Sequence, residues 1–293
     1  MNCSPGSLFR QAINSNKPLQ IAGTVNAYCA KLAEESGFKA IYLSGAGVAN
    51  ASFALPDLGI TTLNDVVEDT QRISQACKLP LLVDIDTGFG SALNIYHTIE
   101  KLEKAGAAAV HMEDQVSTKR CGHRPGKVLV DQEEMCDRLK SACDGRSDSS
   151  FVIMARTDAY AGEGLEKSIE RSLAYIEAGA DMIFAEAIDS LEVLDIFCQE
   201  VKVPVLANMT EFGKTPYFTV EDFKDAGVSM ILYPLSAFRA MSHAALTVYK
   251  EIQSQGTQKA LLNDMQTRED LYKTLDYHKY EKQIDELHKK NLK

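Results

Sequence analysis

A chain of 293 residues, 45% hydrophobic and 25% charged, can bury one large core, and a single (β/α)8 domain occupies this length without a second one. The formal net charge of −10 argues against nucleic acid as a partner, because phosphates call for a basic face and no Lys/Arg stripe overrides that balance. The opening Met1-Asn-Cys-Ser-Pro-Gly has neither the basic nor the apolar region of a signal peptide, and no later stretch stays apolar long enough to span a bilayer. A soluble, unprocessed chain with no membrane partner is expected. Seven scattered cysteines (Cys3, Cys29, Cys77, Cys121, Cys136, Cys143, Cys198) contain no CxxC pair, which fits neither a disulfide framework nor a zinc site and points to the reduced cytoplasm.

A short helical pattern over 7–14 precedes a first strand at 19–23 and a helix over 27–36 that Gly37 stops. Strand and helix then alternate. Strands are predicted at 40–44, 79–86, 107–113, 151–156, 182–186, 203–208 and 229–233, with helices over 63–77, 92–105, 132–143, 165–178, 191–200, 220–226 and 236–254. Lys104-Ala-Gly-Ala-Ala, Glu177-Ala-Gly-Ala-Asp and Lys224-Asp-Ala-Gly-Val repeat one joint, in which a helix ends on Gly and an apolar strand follows. None of the eight strands reads as a polar edge, so the α/β pattern predicts a closed TIM-type barrel rather than an open doubly wound sheet. No G-x-G-x-x-G follows the first strand, and no G-x-x-x-x-G-K-[ST] occurs. Residues 1–293 form one barrel domain in this reading, with 256–293 a C-terminal helical extension whose stripe of Leu271, Leu275, Tyr277, Tyr280, Ile284 and Leu287 calls for burial on the barrel or on another subunit.

In such a barrel the active residues sit at the carboxyl ends of the strands. Those ends are densely polar: Ser44-Gly45-Ala46-Gly47, whose amides suit a carboxylate or phosphate, then Asp84 and Asp86, Glu113 and Asp114, Arg156 and Asp158, Glu186, Asn208 with Thr210 and Glu211, and Ser236 with Arg239. Asp84 and Asp86, two apart on a strand, face one side and repel unless a cation intervenes. With Glu113 they make an all-oxygen set that favours Mg2+, or Mn2+, over zinc, and Asp57 stands by as a further acid. The competing reading is an acidic cluster that shares protons or pairs with arginine. Arg156 and Arg239 suit substrate carboxylates, and Asn208 and Thr210 neutral oxygens. Lys119-Arg-Cys-Gly-His-Arg124 sets the Cys121 thiol among three cations and His123, surroundings that lower a thiol pKa when the groups are close in space. His123 reads equally as a substrate donor or a loop-fixing hydrogen bond.

Ser44-Gly45, Asp84-Ile-Asp86-Thr-Gly-Phe-Gly90, Glu113-Asp-Gln, Lys119-Arg-Cys-Gly-His-Arg-Pro125, Ala155-Arg-Thr-Asp158, Asn208-Met-Thr-Glu-Phe-Gly213 and Tyr233-Pro-Leu-Ser-Ala-Phe-Arg239 together resemble the 2-methylisocitrate lyases of the isocitrate lyase and phosphoenolpyruvate mutase superfamily. The resemblance runs over essentially the whole chain, through Gly256-Thr-Gln-Lys259 and Met265-Gln-Thr-Arg268, with Ala46 where the family more often has Gly and Ala185 where it has Pro. It implies a Mg2+-dependent cytoplasmic barrel, assembled as a homotetramer with a C-terminal helix exchanged between subunits. The activity implied is retro-aldol cleavage of a small tricarboxylate, (2S,3R)-2-methylisocitrate, to pyruvate and succinate in the methylcitrate cycle of propionate catabolism. It assigns Asp84, Asp86, Glu113 and Asp57 to the metal and Cys121 to protonation of the succinate carbanion. Ser44, Gly45, Ala46, Gly122, His123, Arg156, Glu186, Asn208, Thr210, Arg239 and Arg268 fall to the substrate. The base that takes the hydroxyl proton stays open between Tyr42 and a metal-bound water. Rival readings are isocitrate lyase, oxaloacetate decarboxylase, phosphonate mutase and a catalytically silent metabolite-binding barrel.

Overall fold

The computed structural model describes residues 3–291. Eight parallel strands, β1 (Leu19–Gly23), β2 (Ala40–Leu43), β3 (Leu81–Asp84), β4 (Ala109–Glu113), β5 (Val152–Thr157), β6 (Met182–Ala185), β7 (Val205–Asn208) and β8 (Met230–Tyr233), pair in sequence order and close where β8 joins β1. The expected barrel is what forms, and most strands run a residue or two shorter than the apolar runs that announce them. β3 starts beyond Pro80, and Asp86 turns into the left-handed region at φ +48°.

Local chemistry accounts for the joints. Gly106, Gly179 and Gly227 take φ values of 96°, 111° and 74°, and the following amides of Ala107, Ala180 and Val228 each donate back to the carbonyl of Leu102, Tyr175 and Phe223 at 3.0 Å. This closing bond of a Schellman motif satisfies the last helix carbonyls and aims the chain into the next strand. Helix starts are capped as well: Asp131 accepts from Glu134 N at 2.7 Å, and Thr62 with Asp65 and Ser91 with Asn94 form capping boxes.

The core has two layers. Outward-facing strand residues pack under the surrounding helices. Inside the barrel, Leu19 and Ile21, Ala40 and Tyr42, Leu82, Ala109, Val152 and Met154, Met182 and Phe184, Leu206, and Met230 and Leu232 make a separate cluster, joined by Phe9, Ala12 and Ile13 of the N-terminal helix Pro5–Ser15. A period of two carries the same inward parity to the strand ends at Asp84, His111, Glu113, Arg156, Glu186 and Asn208. The site is thus the top layer of the interior.

The chain divides into two compact units, Met1–Phe238, which holds the barrel, and Arg239–Lys293. The division falls within helix Ser236–Gln255, ahead of the Gly256 at which the extension is set from sequence. The second unit continues through a 3-10 segment, Lys259–Asp264, and helices Arg268–Thr274 and Tyr277–Asn291, where Tyr272 stacks on Tyr277 with ring centres 4.1 Å apart.

A tight seam tests the barrel closure. A methyl group at Gly23 would stand 1.8 Å from the Pro234 carbonyl oxygen, a backbone atom with no room to retreat. Gly23→Ala is expected to cost about 1–3 kcal/mol, read as a lower urea midpoint with an unchanged m value.

Candidate active site

The carboxylates come together at the mouth, though not by strand period alone. Asp84 ends β3 and accepts from Gly45 N at 3.0 Å, Tyr42 Oη at 3.2 Å and Asp86 N at 3.0 Å. The left-handed turn at Asp86, rather than an extended backbone, brings the second acid beside the first. Lys119 reaches in from the loop after β4: its ammonium, almost fully buried, lies 2.7 Å from Asp57 Oδ1 and contacts Asp86 Oδ1. The cation that sequence assigned to the surroundings of the thiol therefore neutralises the acids. Burial alone would push the Asp84 carboxyl up, yet His111, Lys119 and Arg156 hold it below the usual range. At neutral pH His111 is uncharged, because burial brings its imidazole down to about 4, so Lys119 and Arg156 supply the standing charge. Asp86 is pushed up to about 6 by burial and by its neighbours Asp84 and Asp57, against the pull of Lys119. Burial pushes Tyr42 up, and the charge of Asp84 adds to this, so it stays a phenol and a donor at neutral pH. That argues against Tyr42 as the base. Tyr42 Oη also lies 2.8 Å from His111 Nε2, a buried partner on the same inward parity as Glu113 that sequence reading left without a role.

Glu113 and Asp114 part company. Asp114 turns away from the mouth and accepts from Thr157 Oγ1, Asp158 N and Tyr175 Oη at 2.8–2.9 Å, which makes it a packing group. Glu113 points in, fully buried, and neither of its oxygens receives a hydrogen bond among the described residues, although Arg156 Nη1 lies 3.1 Å from Oε2. Arg156 is shared among three acids: Glu113, Asp158 at 3.1 Å and Glu186 at 3.2 Å, with its guanidinium 5.2 Å from the centre of the Phe184 ring. Burial would raise Glu186, but Arg156 and His123 bring it down to about 2. Asn208 Nδ2 approaches Glu186 at 3.3 Å, leaving its buried Oδ1 without a donor. Thr210 follows in the loop after β7, Ser44 is buried at the end of β2, and Ala46 packs toward Val25, Cys29 and Leu235. Arg239 and Arg268 belong to the second unit, Arg239 at its first residue and Arg268 at the start of a helix.

The loop over 116–127 carries Cys121 to the mouth. A Cβ on Gly122 would sit 2.5 Å from Glu186 Cγ and 2.6 Å from Arg156 Nη2, so only glycine lets the loop backbone come this close. Lys127 Nζ donates to the Gly122 carbonyl at 2.7 Å and to Asp158 Oδ1 at 2.8 Å. Arg120 turns back to the Pro125 carbonyl and Arg124 faces solvent. With its cations engaged elsewhere, Cys121 does not have the lowered pKa that its sequence neighbours suggest. The residue keeps solvent-accessible surface, but the packing around its sulfur is close enough that burial pushes the thiol up, with Glu186 adding to the effect against Arg156.

The donor set fits a hard dication. It is all oxygen, neither oxygen of Glu113 receives a hydrogen bond among the described residues, and the space next to Asp84 and Asp86 is one that a Cβ on Gly45 would fill at 3.2 and 2.8 Å. Among the described residues no three His, Cys, Asp or Glu side chains converge as direct ligands.

A closed parallel barrel with its polar side chains gathered at the carboxyl ends of the strands defines a (β/α)8 protein with its site at that end. The chain belongs to the phosphoenolpyruvate phosphomutase family, whose profile matches residues 9–253. Within it, the 2-methylisocitrate lyase of Vibrio cholerae serotype O1 is 58% identical over 293 residues, covering 98% of this chain and 95% of the relative. Among solved structures, a 2,3-dimethylmalate lyase superposes with a TM-score of 0.89 at 32% identity, covering 96% of this chain and 95% of that one. A phosphonopyruvate hydrolase in complex with oxalate and Mg2+ does so at 0.83 and 28%, covering 95% and 97%.

Arg156→Met leaves three buried carboxylates without their shared counter-charge. We expect a loss of about 3–5 kcal/mol in unfolding free energy, measured by urea denaturation, where a surface ion pair would give under about 1 kcal/mol.

Proposed function

We propose that the chain is a carbon–carbon lyase that splits (2S,3R)-2-methylisocitrate into pyruvate and succinate. The observation that carries this reading is the placing of the Cys121 loop against Glu186 and Arg156, beside an oxygen-only acid cluster, where burial pushes the thiol pKa up. The relatives' name supplies the substrate, and the site supplies a chemical reason for it.

Asp84, Asp86 and Glu113, with Asp57 behind them, would hold Mg2+ or Mn2+. Bound there, the ion supplies Lewis acidity toward the hydroxyl and carboxylate of the pyruvate half. The remaining work falls to side chains. Gly45 N and the Ser44 turn meet a carboxylate already, that of Asp84, and the same end of β2 suits the substrate's carboxylate. Tyr42 keeps its proton and orients Asp84. Arg156 binds through whatever donor capacity its three acids leave, and Glu186 fixes its plane. Asn208 Oδ1 and Thr210 take neutral oxygens and Gly122 closes the loop face, while Arg239 and Arg268 are assigned to the substrate by the resemblance alone. Cleavage leaves a carbanion on succinate, and Cys121 Sγ gives it a proton.

Burial also sets the pH dependence. A thiol pushed up stays protonated through neutral pH, so kcat should hold there and fall only as pH rises beyond the ordinary thiol range.

We also propose a homotetramer in the cytoplasm with an exchanged C-terminal helix. Helix Ser236–Gln255 has no buried residue and exposes Met241, Leu246, Tyr249 and Ile252, all seven cysteines are free, and among the described residues no helix is long and apolar enough to cross a membrane. Sedimentation at micromolar protein should give a single species near four times 32.2 kDa; a monomer would reject the assembly.

The decisive assay follows pyruvate and succinate release from 2-methylisocitrate, and glyoxylate release from isocitrate, each with Mg2+ and with excess chelator. We expect chelator-sensitive cleavage of the methyl substrate, with isocitrate slower by about 10- to 200-fold, the range one methyl group confers. Cys121→Ser should lower kcat by about 10²- to 10⁴-fold. Activity that survives this change would move the reading to decarboxylation or phosphonate chemistry, and cleavage of neither substrate would sink it.

A further inference from the structure

Asp114 packs away from the mouth, and part of what it packs against is the backbone of a site residue. The ladder between β4 and β5 runs on past the end of β4, where Asp114 N donates to the Arg156 carbonyl at 3.2 Å. In a parallel ladder the next bond would join the Asp158 amide to the Asp114 carbonyl. That carbonyl accepts from Val130 N at 2.9 Å instead, and the Asp158 amide donates to the side chain of Asp114, at Oδ1, at 2.9 Å. A side chain therefore stands in for backbone at the point where Asp158 leaves β5. The Asp158 carboxylate turns back to Arg156, accepting from Nε at 3.1 Å and from Nη2 at 3.3 Å, so the seat of Asp158 sets the plane of the guanidinium.

Asp114 is itself held from outside the barrel. Its Oδ2 accepts from Thr157 Oγ1 at 2.8 Å and from Tyr175 Oη at 2.9 Å, and Tyr175, fully buried, comes from helix Leu165–Glu177. A phenol has one proton and a carboxylate only accepts, so Tyr175 donates here and can only accept from its other neighbour. That neighbour is Arg171, one turn earlier on the helix. Its Nη1 donates to Tyr175 Oη at 3.2 Å, while Nε and Nη2 fork onto Glu163 at 2.7 and 2.9 Å. Burial and the charge of Asp114 push the Tyr175 phenol up, which keeps the donated proton on it at neutral pH. Hydrogen bonds thus run without a break from Glu163 through Arg171, Tyr175, Asp114 and Asp158 to Arg156. We infer that Tyr175 is a positioning residue, acting through Asp114 and Asp158 to hold the Arg156 guanidinium in the plane that meets substrate. Its consequence in turnover rests on the lyase reading, whereas the path from Tyr175 to Asp158 does not.

The test removes one oxygen. Tyr175→Phe keeps the ring in the core and takes away the donor that the helix gives to Asp114. Ser172→Ala is the control for a weakened helix, because it removes a buried hydroxyl of the same helix that donates only along it, to the Ser168 carbonyl at 2.7 Å. Hydrogen exchange of the full-length protein, read by mass spectrometry on overlapping peptides that isolate the Asp158 amide, reports the bond to Asp114. Steady-state kinetics with 2-methylisocitrate and Mg2+ report the grip of Arg156. We expect the Asp158 amide to exchange about two- to tenfold faster in Tyr175→Phe than in Ser172→Ala, the local opening that one lost hydrogen bond produces. KM should rise by about the same factor in Tyr175→Phe with kcat held within about twofold, since an arginine that grips a carboxylate serves ground and transition states alike. Ser172→Ala should keep the parent KM. Equal exchange at Asp158 in the two variants would overturn the path, and faster exchange with an unchanged KM would overturn the positioning role. Should the parent cleave neither lyase substrate, the lyase reading falls, and the exchange rates still decide whether Tyr175 seats Asp158.

Discussion

The arrangement of the mouth depends on one guanidinium. Arg156 is buried among Glu113, Asp158 and Glu186, and among the described residues no other fixed cation touches all three. Burying carboxylates is expensive, and the cost is offset only where a counter-charge of suitable geometry also satisfies their oxygens. A planar donor with five N–H groups on the end of a rigid strand does this for three acids at once, as an ammonium on a flexible stem does not. The acids that Arg156 holds then face three different ways. Asp158 receives Lys127, Glu186 receives His123 and Asn208, and Glu113 faces the acid cluster with free lone pairs.

The loop after β4 completes the charge balance from outside the strands. Lys119 and Lys127 enter the mouth on either side of Cys121 and are nearly buried there, while Arg120 and Arg124 of the same segment stay at the surface. The loop therefore places two positive charges in an acidic well. The thiol between them gains no such charge stabilisation, and burial keeps it protonated. A thiol that keeps its proton suits the donor role proposed for Cys121.

Much of this was legible in the chain. The three Gly-terminated joints, the run of eight apolar strands and the absence of an edge strand announced the barrel. The period of two inside it placed Asp84, Glu113, Arg156 and Asn208 at one rim. Side-chain destinations were less so. Nothing local distinguishes Lys119, bound for the acids, from Arg120, bound for a carbonyl one turn away, because the choice is made by the chain's path through the loop. The divergence of Glu113 and Asp114 was available from alternation, and so was His111, which shares parity with Ala109 and Glu113. Asp86 was reached by a correct conclusion from the wrong geometry, since its left-handed turn and not its strand parity carries it to Asp84.

A further constraint follows from the count of charges. Six carboxylates, Asp57, Asp84, Asp86, Glu113, Asp158 and Glu186, stand at the mouth against three fixed cations, Lys119, Lys127 and Arg156, and every one of those cations is already engaged. The pKa of Glu113, pushed well above the usual carboxylate range by burial even with Arg156 beside it, reports the same surplus of acid. A small polycarboxylate approaching this rim meets like charge, at a site whose low dielectric strengthens the repulsion. Binding such a substrate therefore requires positive charge beyond what the folded barrel itself supplies.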